Sequence, residues 1–186
     1  MISKISILLS EEIGLKLNSS DNEMQVYAYS IEVLSSLLIN LIILSITAHL
    51  LNKWIQLITF IIFFSGLRIY AGGYHAKTHI ECMSISFIIF TISALSSTYL
   101  KQFGEFILIF GVLFSSLMVF VFAPSESDNK PLSINKRKKY KIFSRITVII
   151  LSLAVVFLYF VKVKTDFIYI TAAVAMIIES ISLLVK

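Results

Sequence analysis

Residues 54–67, WIQLITFIIFFSGL, and 83–100, MSISFIIFTISALSSTYL, are hydrophobic runs on either side of the polar, glycine-bearing stretch 68–82, RIYAGGYHAKTHIEC. A helix needs about 20 mainly apolar residues to cross a bilayer, so a run, a break and a second run predict two membrane helices joined by a short connection. Outward from this pair the pattern recurs at about 31–51, 106–122, 146–161 and 167–185. The run at 54–67 is short and is expected to thin the bilayer locally or to form only a re-entrant arm. Four full spans with two partial ones is therefore the alternative to six. Of the 186 residues, 58% are apolar and 15% charged, too much hydrocarbon for one small water-soluble core. The expected fold is an all-α, polytopic membrane domain, residues 1–186 forming one unit.

Ahead of the first span, Ile2, Ile5, Leu9, Ile13 and Leu17 recur at spacings of three and four, with Glu11, Glu12 and Lys16 among the polar positions between them. That spacing predicts an amphipathic interfacial helix over residues 1–17. Ser20, followed three residues later by Glu23, is a capping-box signature for the start of the next helix. The apolar run Ile5 to Leu9 is too short for a cleavable signal peptide and meets Glu11 and Glu12 at once, so the N-terminus is expected to be retained.

The net charge of +5 would suit nucleic acid in a polar chain; in one this apolar it records membrane orientation, and no nucleic-acid partner is expected. With six spans, twelve Lys and Arg residues fall on the side of the termini, including Lys4, Lys16, Arg68, Lys77, Lys186 and the seven from Lys130 to Arg145. The other side receives four, Lys53, Lys101, Lys162 and Lys164. Cytoplasmic loops are enriched in Lys and Arg, so both termini, the 68–82 connection and a basic loop at 124–145 are expected to face the cytoplasm.

Within the spans, Gly104, Gly111, Ser115 and the serines from Ser84 to Ser97 permit close helix approach. No internal repeat is visible and neither proline falls inside a span, which argues against an inverted-repeat transporter. Glu32 and Glu179 lie in or near spans, where an ionisable group invites attention. Both are within a few turns of the basic side, so snorkelling, or pairing with Arg68 or lysines, is the expected arrangement.

The chemistry concentrates in residues 68–82. Cys82 is the single cysteine, so no intramolecular disulfide is possible. A thiol is a weak nucleophile until deprotonated, and an imidazole nearby both takes the proton and steadies the anion. On one straight helix His75 and Cys82 would stand roughly 10 Å apart along the axis, out of hydrogen-bond reach. If they are a dyad, the chain bends between them, with Gly72 and Gly73 supplying permissive backbone. His79, three residues from Cys82, could meet the sulfur within one helical turn. Spacing does not choose between the two histidines, and an isolated membrane cysteine is more often packing than nucleophile.

The pattern Arg68-x4-Gly73-x-His75-x6-Cys82 between hydrophobic segments resembles the accessory gene regulator B (AgrB) family, membrane endopeptidases that process quorum-sensing propeptides. Ala123-Pro124, Asn129-Lys130-Pro131-Leu132 and the basic run from Lys136 to Lys141 are similar to that family's loop after its middle spans, so the likeness covers most of residues 20–186. The resemblance implies a catalytic His75 as general base and Cys82 as nucleophile, with His79 a bystander. It also implies that Arg68 and Gly73 support the site, Arg68 holding either the site itself or a substrate carboxylate. No third triad member is evident.

The implied reaction is cleavage of the C-terminal tail of a small amphipathic, AgrD-like propeptide through an acyl-thioester, followed by cyclisation to a thiolactone or lactone. Lys130, Lys136, Arg137, Lys138 and Lys139 are candidate docking groups for an acidic tail, against the plainer role of topology determinants that attract anionic lipid. No metal or cofactor is implied, membrane lipids are expected partners, and a homodimer is a further expectation borrowed from the family. The rival reading is a non-enzymatic transporter or peptide exporter in which His75 and Cys82 are structural.

Overall fold

The structure, a computed structural model, describes residues 2–17, 19–74, 76, 78–125, 133–161 and 168–185, residues 2 and 4 as backbone alone. Among these residues all regular structure is helical. Contacts divide the chain into two compact units, residues 1–46 and 47–186, with the boundary inside the second helix.

In the first unit, α1 (Ile2–Leu17) precedes the N-terminal part of α2 (Asp21–Leu51). The Glu23 half of the capping box forms: its carboxylate accepts from the Ser20 N–H at 2.8 Å, and also from the Ser20 hydroxyl at 2.9 Å. The face of α1 that is buried is the small one, Ser6, Ser10 and Gly14, and a Cβ on Gly14 would come within 2.4 Å of Met24. Ile5, Leu9 and Ile13, the stripe expected to be apolar, are exposed, as an interfacial helix requires of the side it turns to lipid.

The second unit is a helical bundle. Its first long element runs from Trp54 to Ala71 as α3 (Trp54–Phe60), a π turn (Ile61–Ser65) and α4 (Gly66–Ala71). The run that looked too short therefore reaches 18 residues, because Arg68 and Tyr70 continue the helix instead of ending it. There follow α5 (His79–Tyr99), a 3₁₀ turn (Lys101–Phe103) leading into α6 (Gly104–Phe122), α7 (Ile134–Phe160) and α8 (Ile168–Ser182). Counting α2, five helices are long and apolar enough to cross a membrane, and α8 is a shorter apolar sixth. The chain is a multi-pass, all-α membrane protein.

The basic segment departs from its expected form. Residues 134–145, placed in a loop by their charge, are the first turns of α7. Lys and Arg are good helix formers, so charge alone does not stop a helix. The 27 residues of α7 span ~40 Å against a hydrocarbon core of ~30 Å, leaving room for the charged turns to project beyond it.

α8 is the hub: it packs against α3, α4, α5, α6 and α7. Its sequence explains why. Ala172, Ala173 and Ala175 are fully buried, and at Gly111 of α6 an added Cβ would lie 3.0 Å from the Ala173 Cβ. Small residues let the backbones approach closely, which is how helices associate where lipid supplies no hydrophobic contrast. Large apolar side chains such as Leu113, Leu117 and Leu153 point outward instead, exposed as lipid-facing residues should be.

Candidate active site

The site end of the bundle gathers the C-termini of α4, α6 and α8 and the N-terminus of α5. Arg68, in the last turn of α4, reaches Glu179 of α8 with an Nη1 to Oε2 distance of 3.0 Å. Glu179 is 0% exposed and Arg68 30%, so the carboxylate sits inside the bundle and the guanidinium at its edge. A second guanidinium nitrogen donates to the Tyr74 carbonyl. The same group lies 5.5 Å from the Phe64 ring centroid, within cation–π range, over the π turn.

After Ala71 the helix stops because Gly72 adopts φ +78° and Gly73 φ +128°. Neither tolerates a side chain. A Cβ on Gly72 would meet the Ser125 carbonyl oxygen at 2.3 Å, and one on Gly73 would meet Ser182 Oγ at 2.3 Å and Glu179 Oε1 at 3.1 Å. The turn is tied on both sides: Ser125 N–H donates to the Ala71 carbonyl at 2.8 Å, and Tyr74 N–H donates to the Ser182 carbonyl at 3.1 Å.

Thr78 then restarts the helix. Its backbone is extended (φ −130°, ψ 154°) and its hydroxyl accepts from the Glu81 N–H at 3.2 Å, an N-cap. The helix that carries Cys82 therefore begins only at His79, after an extended Thr78. Cys82 is a free, exposed thiol in the first turn of α5, its N–H donating to the Thr78 carbonyl at 3.0 Å. His79 opens the same turn, half-buried. His75 and Lys130 lie outside the described residues.

Tyr74 and Glu81 form a bond across the turn, Tyr74 Oη donating to Glu81 Oε1 at 2.5 Å. That hydrogen bond, with desolvation and the carboxylate charge, pushes the phenol above the ordinary tyrosine range, so Tyr74 stays a protonated donor.

Arg68, Gly72, Gly73 and Cys82 lie on one connection and its two flanking helices. Lys136, Arg137, Lys138 and Lys139 are exposed on the first turns of α7. Tyr70 of α4 contacts the rings of Tyr140 and Phe143 at 6.2 and 5.3 Å, which brings that basic turn to the same end of the bundle. Glu179 pairs with Arg68, one of the arrangements expected from its position. Tyr74, Glu81 and Ser182 escaped the sequence reading; only the position of Tyr74 and Glu81 next to the candidate histidine and cysteine could have pointed to them.

The sequence pattern of the family described as Accessory gene regulator B matches residues 3–183. An AgrB-like protein of Clostridium perfringens strain SM101 is 31% identical over 147 residues, covering 75% of this chain and 68% of the relative. AgrB-like protein 2 of Clostridium perfringens strain 13 matches with the same identity and coverage. An AgrB-like protein of Clostridium acetobutylicum is 28% identical over 138 residues, covering 71% of this chain and 66% of the relative. No solved structure matches significantly.

Proposed function

The chain belongs to the accessory gene regulator B family, and from that premise we propose that it is a membrane cysteine endopeptidase that trims and cyclises a small signalling propeptide. Membership gives it a role in the accessory gene regulator system; the chemistry is our reading. What carries that reading is Cys82, a free and exposed thiol in the first helical turn after a bent, glycine-built connection.

In this reading His75 takes the Cys82 proton and the thiolate attacks a peptide carbonyl of the precursor. The C–N bond breaks, the imidazolium returns the proton to the departing amine, and the C-terminal tail leaves an acyl-thioester on Cys82. A thiol or hydroxyl within the precursor then attacks that thioester, regenerating Cys82 and closing a thiolactone or lactone. The thioester keeps the acyl group activated for ring closure as long as water is kept from it, and a site at the membrane edge favours that. The exposed cations of α7 beside this end suit an acidic tail, and the site and both termini face the cytoplasm, where new peptide arrives.

Co-expression with a precursor peptide and mass spectrometry of the products tests this. Cys82→Ala and His75→Ala each abolish the cleaved and cyclised product, whereas His79→Ala leaves it. Unchanged product from Cys82→Ala overturns the proposal in favour of a non-enzymatic membrane role, and loss only in His79→Ala moves the base to that residue.

A further inference from the structure

Tyr74 is attached at three points. Its N–H donates to the Ser182 carbonyl, its carbonyl accepts from Arg68, and its hydroxyl donates to Glu81. The first two fasten its backbone to α8 and α4. The third crosses to α5. In sequence Tyr74 immediately precedes His75 and Glu81 immediately precedes Cys82, so the phenol-to-carboxylate bond joins the residue before the candidate base to the residue before the candidate nucleophile.

We infer that Tyr74 and Glu81 are positioning residues, a latch that sets the distance between the two ends of the 75–82 turn. The inference rests on the endopeptidase reading above and deepens it. At 2.5 Å the contact is in the range of charge-assisted O–H···O⁻ bonds, the strong kind. Its hydroxyl proton persists at the pH of thiol chemistry, since the phenol is held above its ordinary range. The backbone ties explain why the latch is a tyrosine on this turn: with its main chain fixed by Ser182 and Arg68, the ring has a defined origin from which its hydroxyl reaches one place on α5. Neither residue touches the reacting atoms in this scheme; both act through their neighbours.

The test uses the full-length protein in lipid nanodiscs with a synthetic precursor peptide. Tyr74→Phe deletes the donor and keeps the ring; Glu81→Ala deletes the acceptor; Glu81→Gln keeps an acceptor oxygen. Misplacing reacting groups by an ångström slows a reaction up to about a hundredfold. We expect Tyr74→Phe and Glu81→Ala each to lower kcat about ten- to a hundredfold with KM within twofold and an unchanged melting temperature. Glu81→Gln retains most of the turnover, and the Tyr74→Phe/Glu81→Ala double variant is no slower than either single one. Wild-type turnover in Tyr74→Phe, or losses that multiply in the double variant, overturn the latch. A fall in melting temperature that accounts for the lost turnover and is not relieved in Glu81→Gln reduces it to a folding contact and overturns it equally. Wild-type protein that releases no tail at all sinks the endopeptidase reading itself, an outcome separate from these.

Discussion

Arg68 ties three parts of the site end together, and its partners bear on the two roles its sequence position left open. The guanidinium is already engaged by Glu179, the Tyr74 carbonyl and the Phe64 ring. That favours holding the site over receiving a substrate carboxylate. The pair is unequal, because Glu179 is fully buried while Arg68 is partly exposed. Removing the cation strands a carboxylate inside the bundle, whereas neutralising the carboxylate leaves a cation that can still reach water. Arg68→Ala should therefore destabilise the protein by about 3 kcal/mol, and Glu179→Gln distinctly less. Thermal unfolding in detergent micelles checks this; equal losses contradict the assigned asymmetry. Arg68 and Glu179 are 111 residues apart. Sequence could say that each wanted a partner, and even that Arg68 was eligible for Glu179, but only the packing of α8 against α4 selects this pairing over the lysines.

At the scale of elements, the sequence was most legible where hydrophobicity alone sets structure. Among the described residues, each of the runs at 31–51, 54–67, 83–100, 106–122, 146–161 and 167–185 coincides with a helical element to within a few residues at its ends, because a lipid-facing helix has no choice but to be apolar along its length. The ends were less legible. Apolar character stops where the bilayer stops, yet backbone hydrogen bonding continues through Arg68 to Ala71 and through the cations of α7. The glycine pair and the need for a bend before Cys82 were readable; the N-cap that starts α5 was not singled out, although Thr78 with Glu81 three residues on is the same signal recognised at Ser20 and Glu23. Thr78 satisfies one of the open N–H groups of α5 and its carbonyl receives the Cys82 N–H. Thr78→Ala should lower stability by about 1 kcal/mol and fray the turn that holds the thiol, while Thr78→Ser restores both. Amide exchange at residues 80–82 alongside thermal unfolding measures this, and unchanged protection in Thr78→Ala contradicts the role given to the cap.

At the scale of the whole molecule the open question is which way the site faces, and the single cysteine answers it without any engineered reporter. The twelve-to-four division of Lys and Arg across the bilayer argues for a cytoplasmic site, since basic residues flanking spans are retained on that side. The turn that bears Cys82 shares its end of the bundle with the charged first turns of α7, so one orientation satisfies both. The 21 residues of α5 cover ~30 Å, about the thickness of the hydrocarbon core, which puts Cys82 at one face and Lys101, just past Tyr99, at the other. A membrane-impermeant maleimide should then label the wild-type protein in inverted vesicles and spare it in intact cells. A Lys101→Cys protein in a Cys82→Ala background should show the reverse. Both patterns follow from one charge count and one helix length, so they stand together: labelling of Cys82 from outside intact cells, with Lys101→Cys labelled only in inverted vesicles, would turn the molecule over and place the proposed peptidase site on the face opposite newly made peptide.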